Sequence, residues 1–335
     1  MLNFFSDSEA KNDLDKSFYA VTTPFLFLIL GIFAISSTAI FIKLALNELS
    51  VEAIIFDRLL IATITFVCGN LVSHLWKSPT DNDNDTISPT AKEANQINWI
   101  IVGLMILESI THLTGRYIYM WALQNTTAVN ALTLSNFTPI FTFLVAWLFI
   151  GKQFDRRFLM GLVIAVGGSI CLTLEDWLHS ENQLFEIKAI LGDGAALLSA
   201  MVYALAMLQM EKLLRYLPNI TFLTWRCIIS LILITPFVWI KGDSIFPSTT
   251  TGWLAILGLG LICEVIARSL ITYSFKHFSS TFLTIFFLIE PFPVAFFAWI
   301  FLGEFLSPFN VMGFILIAVG IYLAKTGKGS DRDND

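Results

Sequence analysis

Residues 138–152 read TPIFTFLVAWLFIGK, and residues 290–304 read EPFPVAFFAWIFLGE. A shift of 152 positions lays Pro139 on Pro291, Trp147 on Trp299 and Gly151 on Gly303. The same shift carries Arg116 onto Arg268, Gly161 onto Gly313 and Gly168 onto Gly320. Nearer the start of each half, Arg58 falls on Arg226 at a shift of 168. The difference between the shifts is about the size of the polar segment 77–96, so the first half reads as the second half plus an inserted loop. Shared hydropathy accounts for one or two such coincidences. Seven at two shifts point to an internal duplication.

Working outward, the duplicated segments are two of ten apolar runs. These lie at 24–46, 53–75, 97–123, 127–150, 154–174, 189–210, 221–240, 253–275, 281–301 and 308–324. A bilayer core takes about 20 apolar residues of helix, whereas barrel strands are about ten residues long with alternating polarity, so these runs predict helices. The composition agrees: of 335 residues, 56% are hydrophobic and only 14% charged, against about 25% charged in a soluble domain. A soluble globular enzyme, a disordered protein and a disulfide scaffold are thereby excluded. Cys68, Cys171, Cys227 and Cys263 sit within apolar runs without metal-ligand spacing and read as small buried hydrophobes. The expected organisation is a polar tail (1–23), a first five-helix repeat (24–174) carrying the 77–96 loop, a linker (175–188), a second five-helix repeat (189–324) and a polar tail (325–335).

Basic residues orient such a chain, because cytoplasmic loops carry the excess of Lys and Arg. With the N-terminus inside, thirteen basic residues fall on inside segments, and only Lys188 and Lys241 fall outside. Both termini are therefore expected in the cytoplasm, in a cell (inner) membrane. An odd number of spans per half makes the second half enter from the opposite side. The fold expected is an all-α polytopic membrane protein, ten transmembrane helices in an inverted 5+5 repeat. Inverted repeats mark many secondary transporters, whose solute site lies near the midplane at the repeat interface.

A charge at the bilayer centre costs at least about 2.5–3.5 kcal/mol on insertion scales, so each one kept there needs a partner or a wet cavity. Glu108, His112 and Arg116 lie four apart on the third span, and Glu264 and Arg268 lie four apart on the eighth. Such spacing puts each set on one helix face. The shift of 152 maps His112 onto Glu264 and Arg116 onto Arg268, so two polar stripes are expected at matching depth. They either line a pore or hold helices together as ion pairs. If they line a pore, the solute carries a carboxylate or another anionic group, since guanidinium pairs well with it. Glu290 falls mid-span beside Pro291 and Pro293, and its mate is Thr138 beside Pro139. Proline removes a helix donor, so helix breaks are expected at Pro139 and Pro291, with Asn136 near the first and a carboxylate only at the second. Glu290 is the candidate proton site of a solute/proton antiporter, and a structural Glu-Pro motif is the alternative. Lys43, Asp57 and Arg58 read as snorkelling residues near span ends, and Asp193 as an N-cap of the sixth span. The glycine pairs 161/168 and 313/320 form small faces, suited to packing within one chain or to a homodimer seam.

These residues resemble the EamA-type branch of the drug/metabolite transporter superfamily. The likeness is carried by the two proline breaks and by AWLFIG (146–151) and AWIFLGE (298–304). GLVIAVGG (161–168), GFILIAVG (313–320), FDRLLIA (56–62) and GDGAALLSAMVYAL (192–205) extend it over about 24–324. It implies a central cavity lined by spans one, three, four, six, eight and nine, and export or exchange of small organic metabolites. Two departures are Lys152, where the family commonly has Glu, and the 77–96 loop.

No Walker P-loop, HExxH or K⁺-channel filter motif occurs. The reading is thus a non-enzymatic transporter working by alternating access, most simply an exporter of an amino-acid-like or drug-like metabolite. Its expected substrate-binding residues are His112, Arg116, Asn136, Glu264 and Arg268. The expected partners are a small organic solute and the lipid bilayer, with no cofactor, metal or nucleic acid. A nucleotide-sugar or lipid carrier of the same architecture, or an intramembrane enzyme or scaffold, is the alternative. The orientation is open to direct test with the native cysteines replaced. A single cysteine in the 77–96 loop should be labelled by an impermeant maleimide only from the cytoplasmic side, and one at 178–185 only from outside. The reverse pattern would sink the assigned topology.

Overall fold

The computed structural model describes residues 22–76, 99–126, 128–179, 187–242, 244–293 and 308–329. The tail before residue 22, the inserted loop, most of the linker, the AWIFLGE segment and the last residues of the chain lie outside the described residues. Among the described residues the chain is helical throughout, in ten segments: α1 (Thr22–Ile42), α2 (Val51–Trp76), α3 (Trp99–Asn125), α4 (Ala131–Ile150), α5 (Arg156–His179), α6 (Ile187–Leu213), α7 (Asn219–Lys241), α8 (Thr250–Ser274), α9 (Ser280–Pro293) and α10 (Pro308–Thr326). Six of them, α1, α4, α6, α7, α8 and α10, are long and apolar enough to cross a membrane. Helices α2, α3 and α5 have 26, 27 and 24 residues, which at about 1.5 Å per residue also spans a hydrocarbon core. The bundle interior receives Glu52, Asp57 and Arg58 of α2 and Glu108, His112 and Arg116 of α3.

Local chemistry sets the helix starts. Thr249 accepts a hydrogen bond from Gly252 N at the head of α8, and Ser279 accepts one from Phe282 N at the head of α9. Asp155 accepts from Phe158 N at the head of α5. Each is a side-chain cap on an otherwise orphaned backbone donor. That bond, the largest influence, holds the Asp155 carboxyl below the usual carboxylate range. Asp193 is not a cap: α6 already begins at Ile187, and Asp193 lies one turn inside, where Thr126 Oγ1 donates to it at 2.5 Å.

The two ends of the bundle are tied by different groups. At one end Lys152, after α4, meets Glu211 on α6 at 2.6 Å, and the other Glu211 oxygen accepts from Ser280 N of α9 at 2.7 Å. At the other end Glu52 of α2 accepts from Lys241 of α7 at 2.6 Å, and from Tyr117 of α3 at 3.3 Å. There too Glu48 caps the 248–249 turn. The Thr249 hydroxyl, more than any other donor, holds its carboxyl below the ordinary range.

Helices α5 and α10 form the tightest seam. A Cβ built on Gly168 would stand 2.8 Å from Gly313 O, and one on Gly320 would stand 2.5 Å from Ala165 N. The four glycines thus let two backbones of the same chain touch, which is packing within the protomer. Gly167, one position away, has nothing within 4 Å of such an atom. Gly161→Ala, whose new methyl would meet Ala324 and Gly320 backbone, should therefore cost about 1–3 kcal/mol as overpacking. Gly167→Ala should be neutral or stabilising, since Ala is the better helix former. Thermal unfolding of the detergent-solubilised variants separates the two, and equal midpoints would contradict the seam.

Candidate functional site

Four arginines from four helices converge at the middle of the bundle. Glu264 of α8 is their hub. Arg58 of α2 reaches its Oε2 at 2.5 Å, Arg116 of α3 lies 3.5 Å from the same oxygen, and Arg268 of α8 lies 4.0 Å from Oε1. The fourth, Arg226 of α7, lies 3.8 Å from Glu108 Oε1, and its NH2 is 2.6 Å from His112 Nε2. Tyr203 of α6 is within electrostatic range of Arg116. Glu108, His112, Glu264, Arg58 and Arg226 are all buried.

Backbone shape brings these groups together. Residues 258–267 of α8 are wound as a π-helix, an uncommon form that often appears at functional sites. Within it Gly260 lies so close to α2 that an added Cβ would stand 2.6 Å from Ile61. That approach, one turn from each partner, brings Arg58 within reach of Glu264. Arg58 and Asp57 are 2% and 1% exposed. They do not snorkel to the surface, because their position seven residues into α2 already lies below the span end, facing α7 and α8 rather than lipid. The Lys43 side chain lies outside the described residues.

The contacts repeat between the halves. Shifting Arg58 by 168 gives Arg226, and shifting His112 by 152 gives Glu264. The Arg58–Glu264 contact and the Arg226–His112 contact are therefore equivalent by the internal repeat, as are the places of Arg116 and Arg268. The equivalent positions differ in charge: an acid in the second half, a ring in the first. Glu108 stands where the second half has Gly260.

The proline sites lie beside the cluster. Helix α4 is interrupted at Asn136–Phe137, immediately before Thr138–Pro139, and α9 is interrupted at Leu288–Glu290, immediately before Pro291. In α9 the backbone tightens to i→i+3 bonds, with Glu290 N to Phe287 O at 2.9 Å. Ser36 of α1 donates to the Glu290 carbonyl at 3.3 Å, and Thr138 Oγ1 donates to Ser135 O at 2.6 Å. The Asn136 amide nitrogen is buried without a hydrogen-bond partner. The Glu290 side chain is exposed, yet it lies within electrostatic range of Arg268 of α8 and Tyr119 of α3. Tyr119 in turn is bonded to Ser135 of α4. Glu290 is thus an exposed residue within reach of groups on α3 and α8.

The structure thus gathers His112, Arg116, Glu264 and Arg268 into one cluster, with Glu290 near it on α9 and Asn136 at the α4 break. Sequence reasoning put Glu108 on one face with His112 and Arg116, but did not place Arg58, Arg226 and Tyr119 in this group. For the two arginines the signal was present, since a basic residue that recurs through an internal repeat in an apolar span is seldom a surface anchor.

Comparison with known proteins agrees with the geometry. An "uncharacterized transporter" of Archaeoglobus fulgidus is 25% identical over 303 residues, covering 89% of this chain and 96% of that one. Two WAT1-related proteins of Arabidopsis thaliana are 24% and 26% identical, covering 59% and 71% of this chain and 61% and 70% of their own lengths. A solved crystal structure shares the fold with a TM-score of 0.71 at 15% identity, covering 91% of this chain and 98% of its own. The EamA-like transporter family matches twice, over residues 22–174 and 190–326, and the chain, a multi-pass membrane protein with transmembrane helices, belongs to that family.

Proposed function

We propose that this protein is a secondary transporter that exports a small organic solute across the cell membrane, both termini being cytoplasmic. It works by alternating access between two inverted five-helix repeats. The observation that carries the reading is the repeated contact: Arg58 on Glu264 in one half, Arg226 on His112 in the other. A core whose halves make equivalent contacts with unequal charges has two related arrangements of similar energy, which is what a bistable carrier requires. The broken helices α4 and α9 lie next to that core, as discontinuous helices do at transporter sites.

In this reading Asn136, Arg116, His112, Glu264 and Arg268 contact the solute in one or other facing state, the breaks at Pro139 and Pro291 let the helix halves move, and Glu290 is the proton site. Its accessible carboxylate exchanges protons with water in the space between helices, and Arg268 responds to its charge. The bilayer is the only other partner required, and no step calls for a nucleophile, metal or cofactor.

Flux of labelled solutes into proteoliposomes tests the transporter reading directly. Within it, Glu290→Gln keeps the shape and removes the titration. It should abolish flux driven by an imposed proton gradient and leave counterflow exchange of the same labelled solute intact. Loss of both would make Glu290 a binding or folding residue, and retention of gradient-driven flux would remove it from coupling.

A further inference from the structure

Among the described residues the central cluster holds more positive than negative charge. Four guanidiniums, from Arg58, Arg116, Arg226 and Arg268, face two carboxylates, Glu108 and Glu264. Asp57 does not help, for among the described residues it makes no ion pair with any of the four. Glu290 lies within range of Arg268 and offsets part of the excess. At least one guanidinium is left without a matching carboxylate. An unmatched charge is the costly one in a low-dielectric interior.

The four arginines are not equivalent. The side chains of Arg58, Arg116 and Arg226 are 3%, 8% and 4% exposed, and each has a close partner. Arg268 is 14% exposed, and its nearest carboxylate oxygen, 4.0 Å from Nε, is the most distant of the four. Arg268 also lies within electrostatic range of Glu290 of α9. On α4 the Asn136 amide nitrogen is buried without a partner.

We infer that the transported solute carries an anionic group, a carboxylate or a phosphate, and that this group docks on Arg268. The planar guanidinium offers two parallel donors to such a group, and the solute supplies the negative charge that the cluster lacks. Arg58 and Arg226 are positioning residues that hold Glu264 and His112 in place. The inference rests on the transporter reading for the word "transported" and on the cluster alone for the charge.

Thermal unfolding of the purified full-length protein tests the charge. The probes are acetate, benzoate, succinate and glycerol 3-phosphate, each set against its uncharged counterpart: acetamide, benzamide, succinamide and glycerol. At least one anion should raise the midpoint while its counterpart does not, and the carboxylate and phosphate arms tell which group is taken. Arg268→Gln should weaken that binding by about tenfold or more, as loss of a charge-assisted contact of about 1.5–3 kcal/mol implies. Arg268→Lys should weaken it less. Where the Gln variant does not elute as a monodisperse species, the Lys variant decides by its reduced affinity. A shift from uncharged probes alone, no shift from any anion, or anion binding untouched by both substitutions overturns the inference. Proteoliposome flux keeps the two readings apart. Transport confined to uncharged or cationic solutes sinks the anion and leaves the carrier standing, whereas anion binding without any flux does the reverse.

Discussion

One carboxylate, Glu264, holds the middle of this molecule together. Three guanidiniums from α2, α3 and α8 converge on it, and removing it would leave each of them in an apolar bundle without its counter-charge. In water such pairs contribute about 0–1 kcal/mol. Inside a membrane protein the alternative to pairing is an isolated charge, which is far worse. The helices that carry these groups are therefore tied by exclusion from lipid as much as by attraction. The long charged helices α2 and α3 take their place in the bundle for that reason.

The hub needs a particular backbone. Glycines at 258 and 260 allow α8 to press against Phe41 of α1 and Ile61 of α2, and the π-winding of 258–267 sets the angle at which Glu264 and Arg268 leave the helix. At the periphery the requirement is simpler. The α5–α10 seam uses glycine to bring two backbones together, and no charge is involved. The protein thus contains a polar, multiply determined centre and a close-packed apolar edge.

Much of this could be read from the amino-acid sequence, for identifiable reasons. Apolar runs of helix length report spans directly, so all-helical architecture follows. The duplicated Trp, Gly and Pro positions report equivalent places in the two halves, and the helix interruptions lie beside Pro139 and Pro291. The failures have physical causes too. Asp57 and Arg58 lie close enough to a span end to look like snorkelling residues, and only the packing of α2 against α7 and α8 shows that they are enclosed. Asp193 resembles a cap because Gly192 precedes it, yet the helix starts earlier and Thr126 takes the carboxylate. The π-segment leaves no sequence signature, because it is a compromise between helix geometry and the contacts of Gly258 and Gly260.

What the sequence hinted at without resolving is the meaning of asymmetry on a duplicated scaffold. The repeat puts a histidine where its counterpart has a glutamate, a glycine where its counterpart has a glutamate, and a threonine where its counterpart has Glu290. Had the two halves been identical, their equivalent contacts would cancel and the two facing arrangements would be equal in energy whatever the solute. Unequal charges break that tie. Glu264 of the second half already occupies the guanidinium of Arg58 at 2.5 Å, whereas Arg226 meets a ring that carries no negative charge and has its carboxylate, Glu108, only at 3.8 Å. In the transporter reading proposed above, a solute or proton bound at Arg268 or Glu290 therefore acts on one side of the pseudo-symmetric core and not on the other. A ligand shifts an equilibrium only through such a difference in interaction between the two states.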